Sequence, residues 1–354
     1  MKTYRIKDIA NLSGVSTGTV DRILHKRGKV SIEAQEKVEK VLKEIDYQPN
    51  LIARSLALKK KYHFITLTPQ LAKGEYWAKL AEGLDKAEQE LFSYNVTVSR
   101  LYFNQYDKSS FDALIPQMAQ ADCQGVIIAT LFRESVVELV HILDERNIPY
   151  VLIDAYIENT RCLAYYGTHS YDSGYIAGRL LFEQIETGDD IVLFYFNRKG
   201  EHKSTQVVRR EEGFSDYFLQ HNYQGRMHPL RIHAEEGSDC ENEALLASFF
   251  EANPQVKAGI IFNSRACLLG GYLEKSVATK DFKLIGYDVL DDNIRFLQSG
   301  LITHLIAQRP EVQGLNALKA LFRHLVMKEE IEQVNYMPID ILMKENISYY
   351  NNYI

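Results

Sequence analysis

Residues 6–56 read IKDIANLSGVSTGTVDRILHKRGKVSIEAQEKVEKVLKEIDYQPNLIARSL. Ile6, Ile9 and Ala10 fall at i, i+3 and i+4, the spacing of one helix face, and Gly14 then breaks the pattern. Ser16 stands where an N-cap belongs, because its oxygen can accept from an amide of the next turn. Val20, Ile23 and Leu24 repeat the helical spacing. Ser31 is a second N-cap position, with Glu33 in the favourable first turn, and Ala34, Val38, Val41, Leu42 and Ile45 make a longer apolar stripe. Three helices this short share only a small core. Tyr47-Gln48-Pro49-Asn50 is a turn, since the residue before a proline avoids the helical region. Asn50 can cap one further segment, residues 51–58, about two turns long and too short to persist alone.

A helix, a glycine turn and a second, capped helix fit a helix-turn-helix. That motif would set Thr17, Gly18, Thr19, Asp21 and Arg22 at the major groove. Arg22 is the natural base reader, its fork matching the two acceptors of guanine. Thr17 and Thr19 suit a phosphate or a thymine methyl. Periodicity alone also fits a plain three-helix bundle with solvated charges. The charge balance bears on the choice. Residues 1–61 hold 14 Lys and Arg against 7 Asp and Glu, whereas the other 293 residues hold 27 against 40. A basic head on an acidic body points to a polyanion as the partner of the head.

The stretch is similar throughout to the head of the LacI-type transcription regulators, whose I-K-D-[IV]-A, G-V-S, T-V-x-R, V-S, Y-x-P-N and A-R-S-L elements it carries in order. The resemblance implies a homodimer on a palindromic double-stranded DNA operator. It also implies that residues 50–58 form a hinge helix that folds on DNA, two such helices entering the minor groove with Leu56 wedged between base steps. An apolar wedge that kinks the duplex is a known minor-groove device. His25, Lys29, Asn50 and Arg54 complete the expected DNA-contacting set. Two positions depart from the family. Asp21 stands where Ser is more usual, where it would repel phosphate and is left to orient Arg22 or Arg5. Gly18 occupies a base-reading position without a side chain. Direct readout then rests on Thr17, Arg22 and His25. If each head neutralises about four phosphates, a dimer neutralises ~8, and affinity falls by ~10⁴ from low to moderate salt.

The whole chain has 354 residues, 46% hydrophobic and 25% charged, which excludes global disorder and is long for one core. Cys123, Cys162, Cys240 and Cys267 have neither metal-site nor redox spacing, and four in this length make no disulfide framework. MKTYRIKDIANLSG lacks the apolar core of a signal peptide, and no apolar run reaches the ~18 residues of a membrane span. A cytoplasmic protein without metal, cofactor or membrane partner is therefore expected.

From residue 62 onward, strand-like runs at 64–69, 96–103, 125–130, 150–154, 190–196, 258–263, 283–287 and 301–306 alternate with amphipathic stretches at 76–92, 111–121, 135–146, 171–185, 205–221, 243–251, 266–277 and 312–328. Such alternation marks doubly wound parallel sheets. Eight units exceed one comfortable sheet, which predicts two lobes with a ligand cleft at the strand carboxyl ends. The expected organisation is an all-α head at 1–48, a hinge at 49–61, and a two-lobed α/β sensor at 62–354. Its first lobe spans about 62–167 and 309–334, and its second about 168–308 and 335–354.

This body resembles the ribose-binding type of periplasmic binding protein, through short motifs. Tyr76 and Trp77 follow the first strand, where those proteins stack aromatics on a sugar face. Taken alone, Trp77 also suits a core position. Arg210 heads an R-x-x-G-[FW] element, ending in Gly213 and Phe214, whose arginine reaches ligand in the family; by itself the run 209–212 would be a solvated, salt-bridged face. Asn263 is kept where the family has Asn-Asp, with Ser264 in place of the acid and Arg265 next. Asp288 ends a G-[YF]-D element and can accept from two vicinal hydroxyls. Gln308 begins a Q-x-P element, and Asp154 closes its strand in the same cleft, where it also suits a turn. Arg210 and Arg265 together hint at an anionic ligand such as a sugar acid or sugar phosphate. A sugar-modifying enzyme with an incidental basic head is the alternative. It lacks support: there is no G-x-S-x-G elbow, phosphate loop or H-E-x-x-H. No catalytic residue is assigned.

Overall fold

The computed structural model describes residues 4, 6–24, 30–45, 61–72, 75–200, 203–233, 237–276 and 281–353. The chain divides into two compact units, Met1–Ala57 and Leu58–Ile354.

The smaller unit contains α1 (Ile6–Ser13), α2 (Thr17–Leu24) and α3 (Ile32–Glu44). Ile9, Ala10, Val20, Val38 and Val41 form its buried cluster. The turn between α1 and α2 rests on Gly14, whose φ of 68° costs a residue without Cβ nothing. Ser16 Oγ accepts from the Thr19 amide at 3.1 Å, and Ser31 Oγ from the Ala34 amide at 3.4 Å. Both serines thus supply partners for amides that a helix start leaves orphaned.

The larger unit begins with β1 (Tyr62–Pro69), α4 (Tyr76–Leu91), β2 (Val96–Phe103), α5 (Lys108–Asp112) and α6 (Ile115–Gln120). It continues with β3 (Gly125–Ala129), α7 (Arg133–Glu145), β4 (Tyr150–Ile153), β5 (Ala164–Gly167) and α8 (Ser170–Phe182). Next come β6 (Asp190–Phe196), α9 (Thr205–Gln220), β7 (Met227–Ile232), α10 (Asp239–Ala252), β8 (Val256–Ile261) and α11 (Cys267–Lys275). The chain ends through β9 (Lys283–Tyr287), α12 (Asp291–Ser299), β10 (His304–Ala307), α13 (Pro310–Phe322), β11 (Val334–Tyr336) and β12 (Asp340–Leu342).

These strands form two six-stranded sheets, ordered β11-β5-β4-β3-β1-β2 and β12-β10-β9-β8-β6-β7. The first is wholly parallel; in the second only β12 runs antiparallel, against β10. The central strands are buried on both faces, as β3, β4 and β6 show along their whole length, which is why they read as unbroken apolar runs. The chain passes between the lobes three times, after β5, after β10 and between β11 and β12.

Four departures from the sequence reading stand out, the first three with local causes. The single helix expected at 111–121 is two, because Pro116 opens a new helix at its first turn. The helix expected to reach 328 leaves α geometry at Phe322 and closes through a π-helical turn, Arg323–Met327, with Lys328 at φ 58°. The strand expected at 301–306 starts at His304, since Gly300 at φ 83° turns the chain first. The strands β5, β7, β11 and β12 and the helix α12 were not anticipated. β7 carries Pro229 at a sheet edge, where a missing amide costs no ladder bond, and β11 and β12 are three residues each.

Among the described residues no helix is long and apolar enough to cross a membrane, and no cluster of His, Cys, Asp and Glu could hold a metal ion.

Candidate ligand cleft and DNA-reading helix

A cleft of the body encloses about 720 Å³, part of it open to solvent. Its lining follows the carboxyl ends of eight strands: Tyr76 and Trp77 after β1, Gln105 and Tyr106 after β2, Leu131 after β3 and Asp154 after β4. The second lobe adds Arg198 after β6, Asn263 and Arg265 after β8, Asp288 after β9 and Gln308 after β10. This is where ligands bind in open α/β sheets.

The cleft brings together seven of the eight ligand-site residues read from the sequence: Tyr76, Trp77, Asp154, Asn263, Arg265, Asp288 and Gln308. Tyr76 and Trp77 stand edge to face, 4.9 Å between ring centres, at the start of α4. Tyr76 donates its hydroxyl to Gln313 Oε1 at 3.2 Å, and Trp77 donates its indole N–H to Gln105 Oε1 at 3.1 Å. Trp77 is 5% exposed, so it packs in the lobe and faces the cleft at once.

Asp154 and Asp288 are buried at the cleft floor, and both hold the left-handed backbone region, with φ of 84° and 69°. Non-glycine residues held there are found preferentially at functional sites. Burial raises both carboxyls to about 7; Arg210 pulls each back down, and repulsion from Asp288 lifts Asp154 further. Gln308 donates its amide to Asp288, at 2.8 Å to Oδ1 and 3.1 Å to Oδ2. Its Oε1 accepts from Gln206 at 3.0 Å and from Thr168 at 3.3 Å. In this arrangement the Gln308 side chain lines the cleft and ties Asp288 to Gln206 and Thr168.

Arg210, the eighth of these residues, lies behind the lining. Its guanidinium is fully buried and does not line the cleft. It donates from Nη1 to the Phe262 carbonyl at 2.7 Å and lies 3.7 Å over the Tyr287 ring, while its Nε and Nη2 find no hydrogen-bond partner among the described residues. The glycine of its motif is a packing device. A Cβ on Gly213 would stand 2.0 Å from the Tyr171 carbonyl, and one on Gly174 would stand 1.9 Å from the Arg210 carbonyl. These glycines let α8 and α9 approach closely enough to seat Arg210 behind the floor.

Arg265 faces the cleft rather than solvent. Its Nε lies 3.7 Å from Glu75 of the first lobe, and its guanidinium 5.6 Å over the Phe196 ring. Asn263 turns its Oδ1 back to accept from the Arg265 amide at 3.0 Å. The lip is also bridged through backbone: Lys199 N donates to Tyr106 O at 2.8 Å, and Lys108 N to Lys199 O at 3.1 Å.

Sequence reasoning missed Gln105, Tyr106, Gln206, Arg198 and Lys203. For Arg198 the signal was present, since it lies two residues beyond the end of β6, where the strand-end rule already placed Asp154.

On the head, α2 presents Thr17, Gly18 and Arg22 as exposed and Thr19 as half-buried. Thr19 Oγ1 is 2.9 Å from Ser16 Oγ, so its hydroxyl takes part in the cap. His25, Lys29, Asn50, Arg54 and Leu56 lie outside the described residues.

A helix-turn-helix head on the same chain as two doubly wound lobes with a cleft between them defines a ligand-binding DNA-binding regulator. The periplasmic binding protein domain model matches residues 65–329, and that of the bacterial regulatory proteins of the lacI family matches residues 5–50. A chain described as a LacI transcriptional regulator from Bacteroides fragilis is 36% identical, with a TM-score of 0.78, over 82% of this chain and 100% of that one. The HTH-type transcriptional repressor PurR of Histophilus somni is 24% identical over 97% of this chain and 98% of its own length. The ribose operon repressor of Halalkalibacterium halodurans is 24% identical over 96% of each. The chain belongs to the LacI family of transcription regulators.

Proposed function

We propose that the protein is a homodimeric repressor acting in the cytoplasm. It binds a palindromic operator with an affinity set by a carbohydrate held between the lobes. Equal identity to a PurR and to a ribose operon repressor leaves the effector to be read from the cleft. The carrying observation is the pairing of Tyr76 and Trp77 with Asp154 and Asp288 in one cavity. Ring faces bury the C–H surface of a sugar, and carboxylates accept from its hydroxyls. Arg210, from behind, favours the charged form of both carboxyls and so offsets part of the burial that raises them.

The domain limits read from the sequence, 1–48, 49–61 and 62–354, assign each step to a part. Ligand draws the lobes together. The two first lobes of the dimer shift, and this changes the population in which both 50–58 hinges fold on DNA with Leu56 in the minor groove. The ligand acts only through its unequal affinity for the two arrangements. Thr17 and Arg22 read bases, while Lys29, Asn50 and Arg54 grip the backbone. The cleft binds rather than catalyses: Gln308 occupies Asp288, and the relatives are repressors.

Fluorescence anisotropy with labelled duplexes from the protein's own promoter region tests this. Tight binding, weakened by scrambling the palindrome and altered by at least one sugar, is the expected result. Arg22→Ala keeps weak general binding and loses the preference. Failure to bind any such duplex at modest ionic strength, with and without sugars, overturns the proposal.

A further inference from the structure

We infer that Gln313, which does not line the cleft, is a positioning residue for it: it fixes Tyr76 and, with Gln308, Asp288 as hydrogen-bond acceptors at the floor, so that the effector faces both with donating hydroxyls. This rests on the carbohydrate reading above and deepens it.

Gln313 stands in the first turns of α13, on the stripe that also buries Gly314, Ala317, Leu318 and Leu321. Its side chain is fully buried. Helix α13 comes very close to α4 there, since a Cβ on Gly314 would stand 2.2 Å from the Leu80 carbonyl. That approach brings Gln313 within reach of Tyr76, the first residue of α4. A buried amide is costly unless its two ends are paired, and both are. Gln313 Nε2 donates to the Gln308 carbonyl at 2.9 Å, and Oε1 accepts from the Tyr76 hydroxyl at 3.2 Å.

The direction of these bonds is forced. A backbone carbonyl can only accept, so the Gln308 carbonyl takes the NH₂ of Gln313 and turns the amide oxygen to Tyr76. The Tyr76 hydroxyl must then donate inward. It keeps its proton, because burial above all, and then Asp154 and Asp288, hold the phenol well above its ordinary value against the pull of Arg210. What this hydroxyl has left for the cleft that it lines is a lone pair. The same logic fixes the next amide. Gln206 Nε2 donates to the Asp154 carbonyl at 3.4 Å and to Gln308 Oε1 at 3.0 Å, so Gln308 turns its own NH₂ to both oxygens of Asp288. Gln313 therefore anchors two things from one buried position: the proton of the Tyr76 hydroxyl, and the backbone from which Gln308 reaches Asp288. A ligand hydroxyl meets these acceptors as a donor, whereas a group that can only accept sets lone pair against lone pair.

The test uses the full chain and calorimetric titration. Neutral aldohexoses and aldopentoses are titrated first, and each hydroxyl of the tightest ligand is then exchanged for fluorine, which removes the donor with little change in size. At the hydroxyls over the floor the exchange should weaken binding roughly tenfold, the worth of one hydrogen bond. Tyr76→Phe should erase that penalty at one position. Gln313→Met should reduce it at the same position and weaken the unmodified sugar about fivefold. Added to Tyr76→Phe, Gln313→Met should cost less affinity than it does alone, whereas a role confined to holding α13 in place would give the same loss in both backgrounds. Unliganded melts report folding, and Gln313→Asn, too short to span both partners, replaces Gln313→Met if that variant does not fold. A folded variant with the affinities of the parent, or with equal losses in both backgrounds, overturns the inference. So does a sugar that tolerates fluorine at every position, which leaves the carbohydrate reading standing. A panel in which no sugar binds removes both readings.

Discussion

The first lobe runs β2-β1-β3-β4-β5 and the second β7-β6-β8-β9-β10, each with one short strand added at the fifth-strand edge. The correspondence extends to detail. Asp154 follows the fourth strand of one lobe and Asp288 the fourth strand of the other, both with positive φ. The helix after each first strand packs on the helix that arrives from the opposite lobe: α4 on α13, and α9 on α8. Both contacts run on glycine. A Cβ on Gly83 would stand 1.9 Å from the Glu311 carbonyl, and one on Gly213 would stand 2.0 Å from that of Tyr171. What differs is the loop chemistry. The first lobe offers Tyr76, Trp77 and Glu75, and the second offers Arg198, Lys203 and Arg265. Backbone requirements repeat because packing imposes them twice; ligand recognition does not, because one small molecule shows a different side to each lobe.

The correspondence is broken most severely at its glycines. Gly213→Ala and Gly83→Ala should each cost roughly 3 kcal/mol, because a methyl against a backbone carbonyl cannot rotate away. Chemical denaturation checks this, and a cost below that of an exposed helix substitution in either lobe would show that the helix pairs are not equivalent.

Next in size is the pair of acids. Asp288→Ala should weaken sugar binding by about 2 kcal/mol, since it removes a carboxylate that Gln308 holds in place. Asp154 has no such clamp, so Asp154→Ala should cost less. Titration of both variants with one sugar decides, and equal losses would mean that the clamp is irrelevant.

The same two acids give a pH effect on stability. Both carboxyls sit at about 7 in the folded chain, above the unfolded value near 4. Within that window the folded state holds protons that the unfolded state releases. Their contribution to stability is therefore present at low pH and is lost as pH rises toward 7. Melting of the Asp154→Asn, Asp288→Asn double variant should show a flatter pH profile than the parent over this range. An unchanged slope would place the titration elsewhere.

The smallest effect lies in the head. Ser31→Ala should lower stability by about 1 kcal/mol through the lost cap on α3. Its thermal melt should leave sugar affinity in the body untouched.

The head was legible because capping and turn chemistry are local: Gly14, Ser16 and Ser31 each act within four residues of their own position. The long strands were legible because burial on both faces writes continuous apolar runs. The strands β5, β11 and β12 were not, since three or four residues carry no periodicity, and their places are fixed by partners far along the chain. The site was readable at strand ends, through Asp154 and Asp288. It was opaque where a residue's work depends on depth. Nothing local distinguishes Arg210, fully buried, from the neighbouring Arg209, which pairs with Glu212 in solvent. The partners of Gln308, namely Asp288, Gln206 and Thr168, meet it only in three dimensions and left no local signal.

Two bodies joined by a single tether could swivel in any direction. Here the polypeptide crosses from one lobe to the other after β5, after β10 and before β12. Three strands of rope side by side resist shearing and corkscrew twisting, yet bend together with ease. Should the lobes close as proposed, three crossings favour one soft degree of freedom, a jaw-like swing. In the proposed regulator, occupancy of the cavity then emerges as a single angle, the simplest message that a protein can carry.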